Sequence, residues 1–221
     1  MSGADDEREG GDGREKGSDD APVVVLATRN RGKLVEIVRL LGESIARARL
    51  VTIDEIAPSA RLDEDGDTFE ANSLQKARMA AAATGRPAIA DDSGLEVDIL
   101  GGAPGVYSAR YAGEPSDDAR NNAKLLDALK GVPAEERTAR FRCVAAYVDP
   151  ARGVELVRDG ACEGQVLDGP RGTLGFGYDP LFLVPRLSKT MAELPIDVKN
   201  QLSHRAAAFR ALALVLPDHL R

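Results

Sequence analysis

The stretch PAIADDSGLEVDIL, residues 87–100, places two adjacent acidic residues where a buried strand is expected. Its first apolar residues predict a strand over residues 88–91. Because neighbouring strand residues point to opposite faces, at most one of Asp91 and Asp92 can face a given cleft. Adjacent carboxylates repel each other unless a cation or protein donors compensate them. The pair therefore indicates either a Mg²⁺ site, since this ion binds carboxylate oxygens, or a polar turn in which one acid caps Gly94.

The segments around this stretch predict strands alternating with helices, followed by a hairpin. Apolar residues at helical spacing (Leu34, Ile37, Val38 and Leu41) precede Gly42, and Thr68 can cap a helix that runs to about residue 84. Further strands are predicted at 23–28, 49–53, 138–149, 153–166 and 181–185, and further helices at 117–130 and after Ser203, with Phe209, Leu212, Ala213 and Leu216 on one face. This order predicts an α/β fold with a mixed central sheet, in which ligands gather at the carboxyl ends of strands.

Charge and composition bound the domain organisation. The net charge is −7, and residues 1–21 account for −5 of it, with eight acids and three bases. We predict a disordered acidic tail over residues 1–21 and one domain over residues 22–221. No basic block points to nucleic acid, and no apolar run approaches a membrane span or a signal peptide, so we expect a cytoplasmic protein. Cys143 and Cys162 are expected to be reduced core residues.

The stretch TRNRGK, residues 28–33, joins the first strand to the first helix. Arg29, Arg31 and Lys33 lie at the positive end of the helix dipole, where acidic residues are preferred. A phosphate would relieve this conflict, and Gly32 would let the backbone approach it closely. The alternative is an ordinary strand–turn–helix joint with solvated charges. The stretch lacks the Walker pattern G-x-x-x-x-G-K-[ST].

An acidic loop, RLDEDGDTFE at residues 61–70, offers further oxygen ligands in Asp63, Glu64, Asp65 and Asp67. Its spacing does not match an EF-hand, and a solvated loop explains most of these acids. Lys76, on the helix that follows, is by itself most simply a surface lysine.

Two later stretches could recognise a nucleobase. In GTLGFGYDPLF, residues 172–182, Phe176 lies among glycines and could stack on a base, or it could fill the core. In KNQLSHR, residues 199–205, Lys199, His204 and Arg205 could donate hydrogen bonds to base carbonyl oxygens, although a lone histidine is most often structural. Together, the phosphate contacts, metal carboxylate, aromatic residue and base-edge donors suit a nucleotide.

These clusters, in this order, closely resemble the inosine triphosphate pyrophosphatase family, whose members hydrolyse deaminated purine nucleoside triphosphates such as dITP and XTP. The resemblance spans residues 23–216. It rests on LATRNRGK (26–33), DGDTFEANSLQKA (65–77), PAIADDSGLEVDILGGAPGVYSARYAG (87–113), FRCVAAY (141–147), GTLGFGYDPLF (172–182) and SHRAAA (203–208). The chain departs from the family at Ala71, where a glutamate often precedes the asparagine, so no role is carried over to Glu70.

The resemblance implies a homodimer of elongated, two-lobed subunits, with the cleft between the lobes. It also implies Mg²⁺-dependent hydrolysis of dITP, ITP and XTP to the monophosphate and pyrophosphate, which removes deaminated purines from the nucleotide pool. Carried over by motif, Asp92 would be the catalytic carboxylate, as general base or metal-bound activator of water, and Glu64 would be the second metal ligand. The substrate would be held by Thr28, Arg29, Asn30, Arg31, Gly32, Lys33, Lys76, Ser93, Phe176, Gly177, Tyr178, Asp179, Lys199, His204 and Arg205.

Three other functions fit parts of this pattern. A Maf-like nucleotide pyrophosphatase would differ in its base preference. A nucleotide-binding regulator would bind dITP or ITP without hydrolysis, but binding alone needs no activating carboxylate such as Asp92. A nucleic-acid-binding module would need a basic surface that the sequence lacks.

Overall fold

A computed structural model of the chain describes residues 21–42, 45 and 48–220. The predicted acidic tail lies outside these residues apart from position 21. The strands are β1 (Val23–Leu26), β2 (Arg49–Thr52), β3 (Ala88–Val97), β4 (Thr138–Asp149), β5 (Val154–Val166), β6 (Phe182–Val184) and β7 (Lys189–Thr190). The helices are α1 (Arg31–Leu41), α2 (Ile53–Ile56), α3 (Phe69–Thr84), α4 (Asp118–Ala128), α5 (Ile196–Leu202) and α6 (His204–Ala213).

The strands form one mixed sheet in the order β2-β1-β3-β4-β5-β6-β7. The pairs of β1 with β2 and with β3 are parallel, and every pair from β3 to β7 is antiparallel. The predicted α/β class, mixed sheet and hairpin are confirmed. The two-lobed shape stays a prediction. None of the helices in the described part of the chain is long and apolar enough to cross a membrane.

Strand β3 does not end at the acidic pair as predicted, and the alternative of a polar turn is also wrong. The strand continues to Val97, and Asp91 and Asp92 pair with Ala145 and Val144 of β4. The antiparallel partner supplies a continuous hydrogen-bond ladder, and each carboxylate finds its own protein donors. The apolar pattern resumes at Leu95 because the backbone never leaves the sheet.

The helices pack on both faces of the sheet largely as their sequences predict. Thr68 caps α3, with its Oγ1 accepting from the Ala71 N–H at 3.0 Å, and Gly85 ends the helix with φ = 63°. The predicted apolar face of α6 is buried. In α1 the prediction fails at Val38, which is 44% exposed, while Glu36 is buried. The helix turns its polar residue inward because Glu36 meets buried cations, described below.

Both cysteines are reduced and buried, which confirms the prediction for Cys143 and Cys162. Cys143 lies in the cluster between the sheet, α1 and α6, and Cys162 lies in the cluster at the β5–β6 end of the sheet. A third cluster, rich in alanine, joins α3 to β1, β3 and β4. The small residues let α3 approach the sheet closely, which brings its polar side chains to β3.

Candidate active site

A cavity of about 420 Å³ opens where α1, β3, α3, α6 and the loops at 61–68 and 174–179 meet. Its wall contains most of the residues predicted from the sequence: Thr28, Arg29, Asn30, Lys33, Glu64, Lys76, Asp92, Ser93, Phe176, Gly177, Tyr178, Asp179, Lys199, His204 and Arg205. Arg31 and Gly32 do not line it. The fold thus brings together side chains up to 177 positions apart, although their roles stay predictions.

The start of α1 contributes mainly Lys33 to the cavity. Asn30 caps the helix, and its Oδ1 accepts from the Lys33 N–H at 3.1 Å. Arg29 is held at the rim by Asp54 at 2.8 Å and by two backbone carbonyl oxygens at 2.9 Å, and Arg31 is exposed. The Lys33 Nζ reaches Asp91 Oδ2 at 3.1 Å. Of the positively charged side chains of Arg29, Arg31 and Lys33, that of Lys33 therefore points inward.

Gly32 has a neighbour that the sequence did not suggest. A Cβ at this position would lie 2.6 Å from a ring carbon of Phe176, which is far inside contact distance. The missing side chain lets the aromatic ring pack against the first turn of α1. Phe176 therefore packs its Gly-rich loop against the stretch 28–33 and does not lie in the core.

Asp91 and Asp92 face opposite sides of β3 and have opposite electrostatics. Asp91 is fully buried behind the cavity wall, and although burial would raise its pKa, Lys33, Arg205 and Lys76 together lower that pKa well below its usual range. Asp92 lines the cavity, and burial raises its pKa although Lys76 and Lys33 act in the opposite direction. Asp91 is thus a fixed counter-charge, whereas Asp92 is the more basic carboxylate.

Two protein donors orient Asp92. Its Oδ1 accepts from the Ser93 N–H at 2.9 Å, and its Oδ2 accepts from Asn72 Nδ2 at 2.9 Å. Asn72 was quoted in the family motif but was not predicted as a site residue. Its position one turn before Lys76 on α3 could have indicated that both face β3.

Lys76 is buried, at 5% exposure, so the surface interpretation is wrong. Its ammonium is paired with Glu64 and also donates to the Asp91 carbonyl oxygen. Burial alone would lower the pKa of Lys76, but the charges of Glu64, Asp91 and Asp92 outweigh burial and raise this pKa above its ordinary value. The side chain therefore stays charged. In the same loop, Asp65 and Asp67 are exposed and Asp63 pairs with Arg61, as a solvated loop predicts.

The donor set suits a hard divalent cation that is shared with a ligand. The charge of Glu64 raises the pKa of Asp92, so the two carboxylates lie within electrostatic reach of each other. Mg²⁺ is commonly held by one or two carboxylates together with phosphate oxygens and water. Within the described residues there is no cluster of three or more metal-ligating side chains. The site therefore fits an ion completed by a bound phosphate rather than an ion caged by protein alone.

The opposite wall combines an aromatic ring with buried cations. Lys199 Nζ lies 2.8 Å from Asp179 Oδ2 and 3.0 Å from Glu36 Oε1. Arg205 bonds Glu36 and donates from Nη2 to Ser93 Oγ at 2.8 Å. The Lys199 Nζ and the Arg205 Cζ lie 5.6 and 5.8 Å from the centre of the Phe176 ring.

His204 presents a neutral imidazole to this wall. Burial, with a smaller contribution from the charge of Arg205, holds its pKa well below the ordinary value of 6.5. The ring stacks on Phe141 with centroids 4.8 Å apart, and its Nδ1 has no hydrogen-bond partner among the described residues. A ligand that offers a hydrogen-bonding edge could satisfy this nitrogen.

The loop at 176–179 is fixed from several directions. The Gly177 N–H donates to Asp118 Oδ2 at 2.7 Å, and the Gly177 carbonyl oxygen accepts from Asn122 at 2.9 Å. The Tyr178 hydroxyl donates to the Ser108 carbonyl oxygen at 2.9 Å. Asp118, Asn122 and Glu36 were not predicted as site residues, because their partners are far away in the sequence. Asp118 and Asn122 lie 55 or more positions from Gly177. Glu36 lies 163 or more positions from Lys199 and Arg205.

Comparison with known proteins identifies the family. Residues 24–215 match the description "Ham1 family". This chain belongs to the Ham1 family. The family resemblance predicted from the sequence is thereby confirmed.

Named relatives of this Ham1 protein cover most of its length. A protein of Geobacter sulfurreducens, named dITP/XTP pyrophosphatase, is 54% identical over 197 residues, which are 89% of this chain and 96% of that protein. The Bacillus subtilis protein of the same name is 47% identical over 192 residues, which are 87% of this chain and 96% of that protein.

Solved structures of similar proteins also match most of this chain. A HAM1 protein from Coxiella burnetii has a TM-score of 0.81 and 41% identity, covering 89% of this chain and 99% of that one. A nucleoside-triphosphatase / dITP/XTP pyrophosphatase from Mycobacterium abscessus has a TM-score of 0.70 and 42% identity, covering 88% and 99%. The mixed sheet described above is therefore a Ham1 fold.

Proposed function

We propose that this chain hydrolyses dITP, ITP and XTP to the monophosphate and pyrophosphate, with Mg²⁺, and so removes deaminated purines from the cytoplasmic nucleotide pool. The observation that carries the proposal is a single cavity with a phosphate-like end, formed by Lys33, Lys76 and Asp92, and a base-like end, formed by Phe176 and the α6 donors. The relatives named dITP/XTP pyrophosphatase support the same activity.

At the phosphate end, the side chains would bind and orient the triphosphate. The ammonium groups of Lys33 and Lys76 are positive charges that act on Asp92, and the first turn of α1 offers backbone N–H groups. These groups would stabilise the charge that develops on the departing pyrophosphate. Arg29, already bonded at the rim, would act by holding the loop in place.

Glu64 and Asp92 are the residues that would hold Mg²⁺. Bound there, Mg²⁺ would supply charge neutralisation and a Lewis acid for phosphate oxygens. The chain itself prepares this site by turning two carboxylates toward the cavity and keeping Lys76 charged between Glu64 and the strand.

Asp92 is the residue that would act on the attacking water. Burial makes its carboxylate more basic, which favours proton acceptance near neutral pH. In the reaction, water adds to phosphorus, the α,β-anhydride bond breaks, pyrophosphate leaves and a proton passes to Asp92. The bonds from Ser93 and Asn72 would keep the carboxylate in one orientation during this transfer.

At the base end, the side chains would discriminate against adenine. Lys199 and Arg205 are buried donors, and each keeps part of its donor capacity beyond the protein bonds described above. A purine with a 6-keto oxygen can accept from them, whereas the 6-amino group of adenine leaves them unpaired. Such a mismatch can cost several orders of magnitude in kcat/KM.

The test of this proposal is pyrophosphate release from dITP, XTP, dATP and dGTP, each with Mg²⁺ and with EDTA. We expect Mg²⁺-dependent release from dITP and XTP and little from dATP, because of its 6-amino group; the expectation of little release from dGTP rests on the family resemblance alone. Release from a different set of bases would favour a Maf-like preference. Binding of dITP without release would favour a regulator and would make the role given to Asp92 wrong.

The role of Asp92 is tested by Asp92→Asn, which keeps the shape of the side chain. We expect kcat to fall by about 10² to 10⁴-fold, as for the loss of a general base. Asp63→Asn is the matched control, because Asp63 is also an aspartate but lies in the acidic loop and pairs with Arg61 near the surface. Retained dITP hydrolysis in Asp92→Asn, or an equal loss in the control, would contradict the role.

A homodimer is also part of the proposal, supported by the family resemblance alone. Light scattering on the purified chain would test it, with an expected mass of twice the 23.5 kDa of one chain.

A further inference from the structure

We propose that Asn72 is a positioning residue that fixes the distance between Asp92 and the loop carrying Glu64. This inference rests on the proposed function, because it concerns the two carboxylates that would hold the metal ion. Asn72 is fully buried on α3, and its amide contacts both the strand and the loop. It does not line the cavity, so it would act through Asp92 rather than on the substrate.

The hydrogen bonds determine which way the amide points. The Gly66 N–H can only donate, and it lies 2.8 Å from Asn72 Oδ1. The Asn72 NH₂ group is then turned toward Asp92 Oδ2, at 2.9 Å, and donates to it. A single side chain therefore links the backbone of the acidic loop to the carboxylate on β3, and neither bond can be made with the amide reversed.

The loop is attached to α3 at a second point. Lys76 follows Asn72 by one helical turn, so both side chains lie on the same face of α3. Lys76 pairs with Glu64, two residues before Gly66, and also donates to the Asp91 carbonyl oxygen. The two residues of α3 thus hold the same short loop to the same strand, but only Asn72 bonds the Asp92 carboxylate.

Gly66 is adapted to this contact. An added Cβ would lie 2.9 Å from Asn72 Oδ1 and 2.9 Å from the Ala71 Cβ. The close approach of loop to helix therefore requires glycine here, and a methyl group would push the loop away from Asn72. This provides a second way to disturb the same linkage without changing Asn72 itself.

Residues that orient metal ligands typically change metal affinity or activity by about 10 to 100-fold when they are replaced. For Asn72→Ala we expect a fall of that size in kcat for dITP, with little change in KM. We expect a comparable fall in Mn²⁺ affinity, measured by electron paramagnetic resonance of free Mn²⁺ in the presence of α,β-imido-dITP. The second readout does not depend on turnover.

The matched control is Asn121→Ala. Asn121 is also a buried asparagine with two bonds, from the Ala112 N–H at 2.7 Å and to the Ala109 carbonyl oxygen at 2.9 Å, but it does not touch Asp92. We expect a similar loss of melting temperature, with kcat and Mn²⁺ affinity unchanged. If Asn72→Ala also loses only stability, its role is structural and the inference is overturned.

If Asn72→Ala does not fold, Gly66→Ala decides the matter. Its added methyl should lower kcat and Mn²⁺ affinity, and wild-type values of both would overturn the inference. Measurements on the wild-type chain distinguish a failure of this inference from a failure of the proposed function. If it releases no pyrophosphate from dITP, the proposed function fails, while the ratio of Mn²⁺ affinities still tests Asn72. A wild-type chain that binds no Mn²⁺ overturns the inference as well.

Discussion

Asp91 and Asp92 are neighbours in sequence and both are buried, yet they face opposite sides of β3 and have different partners. Asp91 Oδ2 lies 3.1 Å from Lys33 Nζ and 3.3 Å from Arg205 Nη2, so it compensates two buried cations. Asp92 instead accepts two neutral hydrogen bonds and faces the cavity. The alternation of a strand is enough to place one carboxylate against cations and its neighbour at the cavity.

This difference predicts unequal losses of stability. Asp91→Asn should lower the free energy of unfolding by about 3–5 kcal/mol, because Lys33 and Arg205 each lose an ion pair and Arg205 keeps only its pair with Glu36. Asp92→Asn should cost only about 1 kcal/mol, since one hydrogen bond to Asn72 is lost and no ion pair is broken. Urea denaturation of both variants in EDTA measures the two values. Equal losses would show that Asp91 is not the counter-charge of this cluster.

His204 predicts how stability changes with pH. Its pKa is lower in the folded protein than the ordinary 6.5, so below about pH 6.5 the unfolded chain binds a proton that the folded chain does not. The free energy of unfolding should therefore fall as the pH decreases, by up to about 1.4 kcal/mol per unit for this single proton. Denaturation between about pH 7.5 and 5.5 should show a smaller slope in His204→Gln. Identical slopes would mean that the imidazole is protonated in the folded protein.

At the scale of elements, helix α6 brings its first residues to the cavity by packing very closely on β5. A Cβ on Gly160 would lie 2.3 Å from the His204 carbonyl oxygen and 2.5 Å from the Ala208 nitrogen. The helix backbone thus rests directly on the strand backbone. The depth of His204 and Arg205 in the fold therefore depends on a glycine that lies 44 positions before His204 in the chain.

Gly160→Ala should therefore displace α6. We expect a loss of about 1–3 kcal/mol in the free energy of unfolding, as for overpacking, and a smaller ratio of kcat/KM for dITP over dATP. The control is Gly169→Ala, where an added Cβ meets nothing within 4 Å and the backbone is not in the left-handed region. Unchanged discrimination in Gly160→Ala would show that α6 does not depend on this contact.

The elements also show what local sequence can predict. Thr68, Gly85 and Ser203 act within one turn of the chain, so the limits of α3 and the start of α6 follow from capping chemistry. The length of β3 does not, because Asp91 and Asp92 are kept in the strand by β4 and by side chains from three other elements. Val38 was wrongly assigned to the apolar face of α1 since Glu36 is drawn inward by Arg205, which lies 169 positions away.

At the scale of the molecule, the cavity is nearly balanced in charge. Its wall contains five acidic and five cationic side chains: Glu36, Glu64, Asp92, Asp118, Asp179, Arg29, Lys33, Lys76, Lys199 and Arg205. With Asp91 behind the wall, the sum is five minus six, or −1. The motifs predicted eight of these ten residues, but the pairing of all five cations with protein carboxylates could be seen only in three dimensions.

This balance predicts that the protein alone binds a triphosphate poorly. A nucleoside triphosphate is a polyanion, and the wall offers it no net positive charge, so a divalent cation must supply the compensation. We expect the Kd for α,β-imido-dITP to weaken by at least about 100-fold when EDTA replaces Mg²⁺, a difference of roughly 2.7 kcal/mol. Isothermal titration calorimetry measures both values without turnover.

Deoxyinosine is the matched control, because it carries the same base and no phosphate. Its affinity should be the same with Mg²⁺ and with EDTA, since it has no phosphate oxygens to share with the ion. Tight binding of α,β-imido-dITP in EDTA would mean that Lys33 and Lys76 leave their carboxylates to take the phosphates. In that case the ion pairs described here would be partners that the substrate replaces, and the need for a divalent cation would lie in the chemical step alone.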